Sequence, residues 1–343
     1  MNNFYSIVTT VQAPTPAVRG LVEQLNVYGA KLLVIGDQKG PSTYELPNTE
    51  FLSLTDQLQT PFALAQSLPT GHYSRKNIGY LEAIRRGATC IYETDDDNAP
   101  LPSWSSRSEH TEAYEVKQSG WVNAYAHFSQ ERIWPRGFPL EKLTESFAQT
   151  IATSNTAKLL QAPIQQGLAN GSPDVDAVWR LVLDKPFYFD DNPSIYLPPG
   201  SWCPFNSQTT WWWPVAYPLM YLPSYCSFRM TDIWRSFIAQ RCLWELDMGI
   251  VFHAPEVFQD RNEHNLLRDF EQEISGYLTN NQIIDLLGDL TLKKNPDDVA
   301  QNLKSCYEFL VNANIFPSKE LKLVDEWNQG YAMALQCRIN QNY

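Results

Sequence analysis

The feature that most constrains the fold of this chain is the alternation of strand and helix patterns over its first hundred residues. Phe4–Val11 and Lys31–Ile35 are β-prone apolar runs, and Ala17–Leu25 between them has the spacing of a helix. A third short β-prone run covers Glu50–Leu54. Such alternation predicts a mostly parallel sheet, and sheets of this kind bind ligands at the carboxyl ends of their strands. We therefore expect a ligand site at that edge.

A further strand, Cys90-Ile91-Tyr92, is followed by three consecutive carboxylates, Asp95, Asp96 and Asp97. Adjacent carboxylates repel one another unless a cation lies among them. A calcium loop is excluded because its ligands alternate around a glycine, and Pro100 stands where that glycine belongs. Two interpretations stay open: a solvated acidic turn, or a D-x-D site. In a D-x-D site Asp97 coordinates Mg²⁺ or Mn²⁺, Asp95 binds a ribose hydroxyl or metal-bound water, and a nucleotide diphosphate completes the coordination.

The composition excludes some classes of function. The chain has 343 residues, 43% of them hydrophobic, and a formal net charge of −12. A negative net charge of this size argues against a basic protein face that binds nucleic acids. The six cysteines show no CxxC spacing, which predicts reduced thiols and a reducing compartment. We see neither a signal segment nor an apolar run of about 18 residues, so we expect no integral membrane segment.

The chain is expected to contain two parts. Residues 1–275 form an α/β domain, with a nucleotide-binding half at 1–110 and a looser half at 111–275 that is rich in Pro, Trp and Asn. Residues 276–343 form a helical C-terminal extension, since Asn295-Pro296 is a typical helix start and apolar residues then recur at helical spacing.

Four stretches of the chain resemble the STELLO family: SRKNIGYLEAIRRGATCIYETDDDN, YAHFSQERIWPRGFPL, PIQQGLANGSPDVDAVWRL and FRMTDIWRSFIAQRCLWEL. The resemblance runs from about Tyr5 to Phe270. That family consists of glycosyltransferases best known as plant Golgi membrane proteins that influence cellulose synthesis. More distantly, the order of features is similar to the reversibly glycosylated polypeptides, which are UDP-arabinopyranose mutases. The resemblance implies a GT-A fold, a Rossmann-type mixed sheet with helices on both faces, and a D-x-D metal site.

Plant members of the family carry a cytoplasmic tail and a membrane span at the N-terminus, and this chain shows neither pattern. We therefore expect a cytoplasmic protein and do not carry over Golgi residence or a cellulose-synthase partner. We also allow for a homo-oligomer.

The resemblance assigns the nucleotide to the first half. Thr9, Thr10 and Val11 end the first strand, where GT-A proteins hold base and ribose, and Asp37 ends the second. The alternative for Asp37 is a capped turn. Arg75 and Lys76 begin a helix and could meet the diphosphate, or they form a solvated first turn. Asp95 and Asp96 complete this predicted set.

The resemblance places the donor sugar and acceptor in the second half. Arg136 in the WPRG turn and Asp174 and Asp176 in the NGSPDVD turn are expected to contact the sugar, unless these turns are structural. Asp232 is the predicted catalytic carboxylate, acting as a base or steadying positive charge at the anomeric carbon, and its alternative role is a helix N-cap. Trp234, two residues later, is predicted to contact the donor sugar or the acceptor. His264 is a predicted ligand of the metal, together with Asp95 and Asp97.

These features predict a metal-dependent glycosyltransferase that moves a sugar from a nucleotide sugar, with UDP the expected carrier, to a glycan or other hydroxyl acceptor. Two alternatives remain at this point: a nucleotide-sugar mutase, and a sugar-nucleotide-binding scaffold without turnover.

Overall fold

The computed structural model describes residues 3–260 and 265–340. Its strands are β1 Phe4–Thr9, β2 Lys31–Ile35, β3 Thr49–Leu52, β4 Cys90–Thr94, β5 Asn98–Pro100, β6 His110–Glu115, β7 Gly120–Trp121, β8 Lys158–Gln161, β9 Ile164–Gly171, β10 Ile195–Leu197, β11 Ser201–Trp202, β12 Thr209–Trp212 and β13 Ile250–Gln259.

The α-helices of these residues are α1 Pro16–Val27, α2 Leu54–Gln59, α3 Leu64–Ser67, α4 Lys76–Arg85, α5 Leu143–Ala148, α6 Ala177–Leu183, α7 Thr231–Trp244, α8 Leu266–Asp289, α9 Val299–Asn312 and α10 Glu320–Asn340. Short 3₁₀ turns directly precede four of them, among them Tyr73–Arg75 before α4 and Phe228–Met230 before α7.

One large mixed sheet organises the described residues. Eleven of their strands form it, in the order β3-β2-β1-β4-β12-β9-β13-β10-β6-β8, with β5 paired to β13. The pairs β3–β2, β2–β1 and β1–β4 are parallel. β12 then runs antiparallel to β4 and to β9. The parallel group sends its carboxyl ends to one edge, because parallel strands share a direction.

Helices cover both faces of the parallel group. Ile7 on β1 faces one core together with Ile78 of α4, while its neighbour Val8 faces the other core together with Val18 of α1. Alternate strand residues point to opposite faces, so a strand covered on both sides is apolar throughout. The predicted fold class, a GT-A-like α/β fold with a Rossmann-type mixed sheet and a helical C-terminal part, is confirmed.

Local sequence signals explain where α1 begins. Thr15 is its N-cap and accepts a hydrogen bond from the Val18 backbone amide at 3.1 Å, and Pro16 occupies the first helical position. A proline loses little there, because the first amides of a helix have no partner within the helix.

The C-terminal helices pack against the α/β part. The predicted boundary between residues 275 and 276 falls inside α8, which is continuous. The Trp327 indole of α10 donates to the Pro218 carbonyl at 2.8 Å. The buried Glu320 carboxylate accepts from the Tyr221 hydroxyl and from the backbone amides of Ser224 and Tyr225. The C-terminal helices therefore hold the segment that leads into α7.

No helix within 3–260 and 265–340 combines the length and the apolar character that crossing a bilayer requires.

The buried His253 on β13 gives a stability prediction. Its Nδ1 lies 2.7 Å from Ser194 Oγ and its Nε2 lies 2.9 Å from Gln165 Oε1. Burial, with a smaller effect of the Arg107 charge, lowers the pKa of His253 well below 6.5. The unfolded chain therefore binds a proton that the folded chain does not, and stability falls as the pH drops below about 6.5.

We expect His253→Gln to reduce the pH dependence of the free energy of unfolding between pH 5 and 6.5 by up to about 1.4 kcal/mol per pH unit. Urea titrations at several pH values measure this slope. The matched control is His110→Gln on the exposed part of β6, which should keep the slope of the parent protein. An unchanged slope for His253→Gln would contradict the assignment.

Candidate functional site

Two cavities meet at the carboxyl ends of the parallel strands. The first, about 430 Å³, is the strand-end cavity, formed by the residues after β1 and β2 and by the segment 71–73. The second, about 280 Å³, is the acidic cavity, and its charged lining residues are Asp95, Asp96, Asp97, Arg136, Asp174, Arg180, Arg229 and Asp232. Both cavities are lined by Thr9, Tyr73, Asp96 and Phe228, so they adjoin one another.

The strand-end cavity contains the predicted nucleotide residues of β1 and β2. Thr9, Thr10 and Val11 form one side, and Asp37 lies opposite. The Asp37 carboxylate accepts from the backbone amides of Gln38 at 2.7 Å and His72 at 3.1 Å. Asp37 therefore joins the loop after β2 to the segment before α4, and it caps its turn while lining the cavity.

Arg75 and Lys76 donate to acceptors within the protein, and Arg75 also lines the strand-end cavity. The buried Arg75 guanidinium donates to Gln57 Oε1 at 2.7 Å and to the carbonyls of Leu68 and Ala65 at 3.2 Å. Lys76 is also buried, and its ammonium donates to the Thr94 carbonyl at 2.8 Å and to Asp95 at 3.1 Å. The burial of both side chains rules out a solvated first turn, and the diphosphate contact stays a prediction.

Each of the three consecutive aspartates has its own partner. Asp95 pairs with Lys76. Asp96 accepts from the Thr10 hydroxyl at 2.5 Å, and Asp97 accepts from the Gln259 amide at 3.1 Å. The partners lie in three different parts of the chain, so each carboxylate has its own donor and the repulsion among them is reduced.

Burial raises the pKa of Asp95 to about 7; the Lys76 ammonium lowers it and the Asp97 carboxylate raises it. Burial also raises the pKa of Asp96, and the Thr10 hydroxyl opposes this shift. Lys76 thus does not offset the burial of these carboxylates, and a further cation would stabilise their charged forms.

Arg136 joins two aspartates from distant parts of the chain. Its Nε and Nη2 atoms each donate to the Asp174 carboxylate at 2.8 Å, and its Nη1 and Nη2 atoms donate to Asp232 at 3.0 Å. It also donates to the Arg229 carbonyl. The three side chains are almost wholly buried, with exposed fractions of 6%, 11% and 4%. Bidentate arginine–carboxylate pairs are short and strongly oriented.

The geometry of Asp232 distinguishes its two expected roles. Met230 is the N-cap residue of α7, and Asp232 lies in the first turn. Its Oδ2 accepts from the Ser207 backbone amide at 3.1 Å, and its own amide donates to the Tyr73 hydroxyl at 3.0 Å. Burial opposes ionisation of Asp232, but the ion pair and hydrogen bonds with Arg136 outweigh it and lower its pKa to about 2. A carboxylate held in this way is a permanent negative charge.

Two residues that were predicted to contact the sugar lie outside the lining of the acidic cavity. Asp176 is fully buried as the N-cap of α6; it accepts from the Trp179 amide at 2.8 Å and from the Trp134 indole at 2.6 Å. Trp234 is buried, and its indole donates to Asn280 at 2.9 Å. Both satisfy internal partners and neither lines the acidic cavity. His264 lies outside the described residues.

Sequence reasoning missed several lining residues of the acidic cavity: Tyr73, Asn206, Ser207, Gln208, Phe228, Arg229 and Gln259. The signal for three of them, Asn206, Ser207 and Gln208, was the polar loop between Trp202 and Trp211. The tryptophans of this region belong to the core, and the polar loop residues between them face the cavity.

The acidic cavity suits a divalent cation only in combination with a ligand. Among residues 3–260 and 265–340, no group of three or more His, Cys, Asp and Glu side chains is arranged to hold a metal. Asp95 and Asp97 supply two carboxylates, and Mg²⁺ is commonly held by one or two carboxylates together with substrate phosphates. The donor set therefore fits Mg²⁺ or Mn²⁺ bound with a diphosphate.

The fold and the site define a class: a Rossmann-type α/β protein with an acidic ligand cavity at its strand ends, as in GT-A-type glycosyltransferases. A family model described as STELLO glycosyltransferases matches residues 229–333. This match includes Asp232 and extends past Phe270 into α10.

Two Arabidopsis thaliana proteins are similar to the chain over most of its length. "Probable glycosyltransferase STELLO2" is 33% identical over 278 residues, which is 75% of this chain and 36% of that protein. "Probable glycosyltransferase STELLO1" is 32% identical over 269 residues, 73% of this chain and 34% of that protein. The chain thus spans about a third of the length of these relatives. The predicted resemblance is confirmed, and the chain is a relative of the STELLO glycosyltransferases.

Among solved structures, a glucosyl-3-phosphoglycerate synthase of M. tuberculosis aligns with a TM-score of 0.37 and 8% identity, covering 81% of this chain and 80% of that chain.

Proposed function

We propose that this chain transfers a sugar from a nucleotide diphosphate sugar, with UDP as the carrier, to a hydroxyl acceptor. The observation that carries the proposal is that the two cavities adjoin and share four lining residues. A nucleoside fits the strand-end cavity beside Thr9–Val11 and Asp37, and its diphosphate then reaches Asp95–Asp97 through the shared lining at Thr9 and Asp96. Open α/β sheets bind nucleotides at this edge.

The charge of the acidic cavity supports a cation-dependent donor. Five aspartates and three arginines line it. One of these arginines, Arg136, already pairs with Asp174 and Asp232. An anionic diphosphate is repelled by the excess of carboxylates unless a further positive charge enters with it.

Asp95 and Asp97 would hold a Mg²⁺ or Mn²⁺ ion, which when bound supplies positive charge to the diphosphate leaving group. Lys76 orients Asp95 through their 3.1 Å contact, and Gln259 orients Asp97 in the same way. Thr10 holds Asp96 near the junction of the cavities.

Asp232 and Asp174 would act on the sugar side of the cavity. The pair with Arg136 fixes both carboxylates in one orientation and keeps Asp232 ionised. A fixed negative charge beside the anomeric carbon stabilises the positive charge that develops as the glycosidic bond breaks. The low pKa of Asp232 makes this role more suitable than proton abstraction, which works best with a pKa near the working pH.

We expect UDP to bind only weakly without a divalent ion, because the acidic cavity repels the diphosphate. Calorimetric titration with UDP in the presence of Mn²⁺ and in EDTA measures the difference. The Asp97→Asn variant should lose most of the gain that Mn²⁺ provides, while the exposed Asp56→Asn on α2 is the matched control. Equal UDP affinity in EDTA and in Mn²⁺ would contradict the proposal.

The reaction itself is tested by a screen of nucleotide sugars with Mn²⁺, first for a thermal shift and then for hydrolysis or transfer of the best binder. Release of UDP with formation of a new glycoside or free sugar supports a transferase. Ring-form interconversion of the sugar nucleotide without release would identify a mutase. Binding without either reaction would identify a scaffold.

A further inference from the structure

A third cavity, about 740 Å³, lies beside the two cavities of the candidate site and is not used by the proposed reaction. We call it the outer cavity; its main polar and aromatic lining residues are Lys117, Gln118, Trp121, Lys142, Gln149 and Asn281. Its two lysines, Lys117 and Lys142, are matched by two carboxylates, Glu145 and Asp285, so the charged lining residues carry no net charge. A cavity with amides and no net charge is unsuited to a nucleotide or a polyanion and suits a neutral polar ligand.

Trp121 is held in one orientation at this cavity. Its indole nitrogen donates to Asn281 Oδ1 at 2.7 Å. Its ring meets the buried rings of Phe138 and Phe237 edge to face, with centroids 5.7 Å and 5.6 Å apart. The neighbouring Gly120 has a φ of 75° and open space where a side chain would be. An aromatic ring fixed beside amides and charged groups matches a sugar, which has apolar C–H faces and hydroxyl edges.

The outer cavity shares a wall with the acidic cavity. Arg136 lines the acidic cavity and Phe138, two residues later in the same turn, lines the outer one. Two consecutive residues of α8 hold the wall: Asn280 donates to the Gly137 carbonyl at 2.7 Å, and Asn281 binds Trp121. A polymeric ligand seated in the outer cavity would therefore lie next to the turn that carries Arg136.

We propose that the outer cavity is a second saccharide site, which takes a neutral oligosaccharide segment of the acceptor and stacks one of its rings on Trp121. The link to the acceptor rests on the proposed function; the binding of a neutral saccharide does not.

The test uses the whole chain and saturation-transfer-difference NMR with neutral gluco-, manno-, galacto- and xylo-oligosaccharides. We expect at least one series to bind, and Trp121→Ala to weaken that binding about tenfold or more, because the stacking platform is lost. A second variant, Lys142→Ala, avoids a folding defect because this side chain is exposed and its ion pair with Glu145 is long, at 3.4 Å. It should weaken binding several-fold. Lys185→Ala is the matched control, an exposed lysine that pairs with Glu131 outside the cavity.

UDP affinity measured on the same samples separates the two proposals. Saccharide binding that is weakened in the Trp121→Ala and Lys142→Ala proteins, with UDP affinity unchanged, supports the outer cavity as a saccharide site. Saccharide binding without any UDP binding would support the outer cavity and overturn the proposed function. If no oligosaccharide series binds, the outer cavity is not a saccharide site. The same conclusion follows if the parent protein and both variants bind equally well, and it does not depend on the measured UDP affinity.

Discussion

Replacing Asp232 by Asn is expected to lower turnover of the nucleotide sugar by about 10²–10³-fold, as removal of one well-placed electrostatic group does. The affinity for UDP should stay nearly unchanged. In the proposed reaction Asp232 is on the sugar side of the acidic cavity, where its charge matters mainly as the glycosidic bond breaks. Both of its oxygens face Arg136, and its pKa of about 2 keeps it charged at any working pH.

The measurement is paired: the UDP dissociation constant and the turnover for each variant. Asp97→Asn provides the contrast, because a carboxylate that acts through a cation on the diphosphate should affect UDP binding and turnover together. Asn is close in size to Asp and can still accept a hydrogen bond from Arg136, so thermal unfolding should show a folded protein. If Asp232→Asn keeps full turnover on every acceptor and in hydrolysis, then Asp232 serves only as an ion-pair partner of Arg136 and has no part in catalysis.

Replacing Arg136 by Met is expected to lower the free energy of unfolding by about 3–5 kcal/mol, as breaking a buried ion pair by removing one partner does. The substitution keeps the approximate length of the side chain but removes the guanidinium that donates to both buried carboxylates, Asp174 and Asp232. Urea unfolding at pH 7 measures the loss. The matched control is Arg132→Met in the same segment, an exposed arginine, which should change stability by less than about 0.5 kcal/mol.

A double variant tests the mechanism of this loss. Asp232→Asn in the Arg136→Met background removes one of the uncompensated charges, so it should recover part of the stability that Arg136→Met loses. Additive destabilisation by the two substitutions would show that the buried charges are not the cause.

Local signals in the sequence determined the parallel half of the sheet. Lys31–Ile35 was predicted residue for residue, because an apolar run bounded by turn residues can be recognised without tertiary information. The gathering of Thr10, Asp37 and Asp95–Asp97 at one edge followed in the same way: parallel strands send their carboxyl ends to one side, so residues that end such strands must meet.

Only the tertiary structure decided which polar residues of one turn face the acidic cavity. Asp174 and Asp176 stand two residues apart in the same turn, yet Asp174 pairs with Arg136 in the acidic cavity while Asp176 caps α6 in the core. Arg75 and Lys76 looked like free cations at a helix start, and the packing of neighbouring loops gave each of them internal acceptors.

The tertiary structure also decided the chemical character of Asp232. Its position at the start of α7 could be predicted from the helical pattern, but its partners lie far away in the chain, at Tyr73, Arg136 and Ser207. Sequence patterns report neighbours along the chain, whereas the pKa and the orientation of a buried carboxylate depend on charges brought close by folding. The location of the site was therefore determined by the sequence, and the roles of its side chains by long-range contacts.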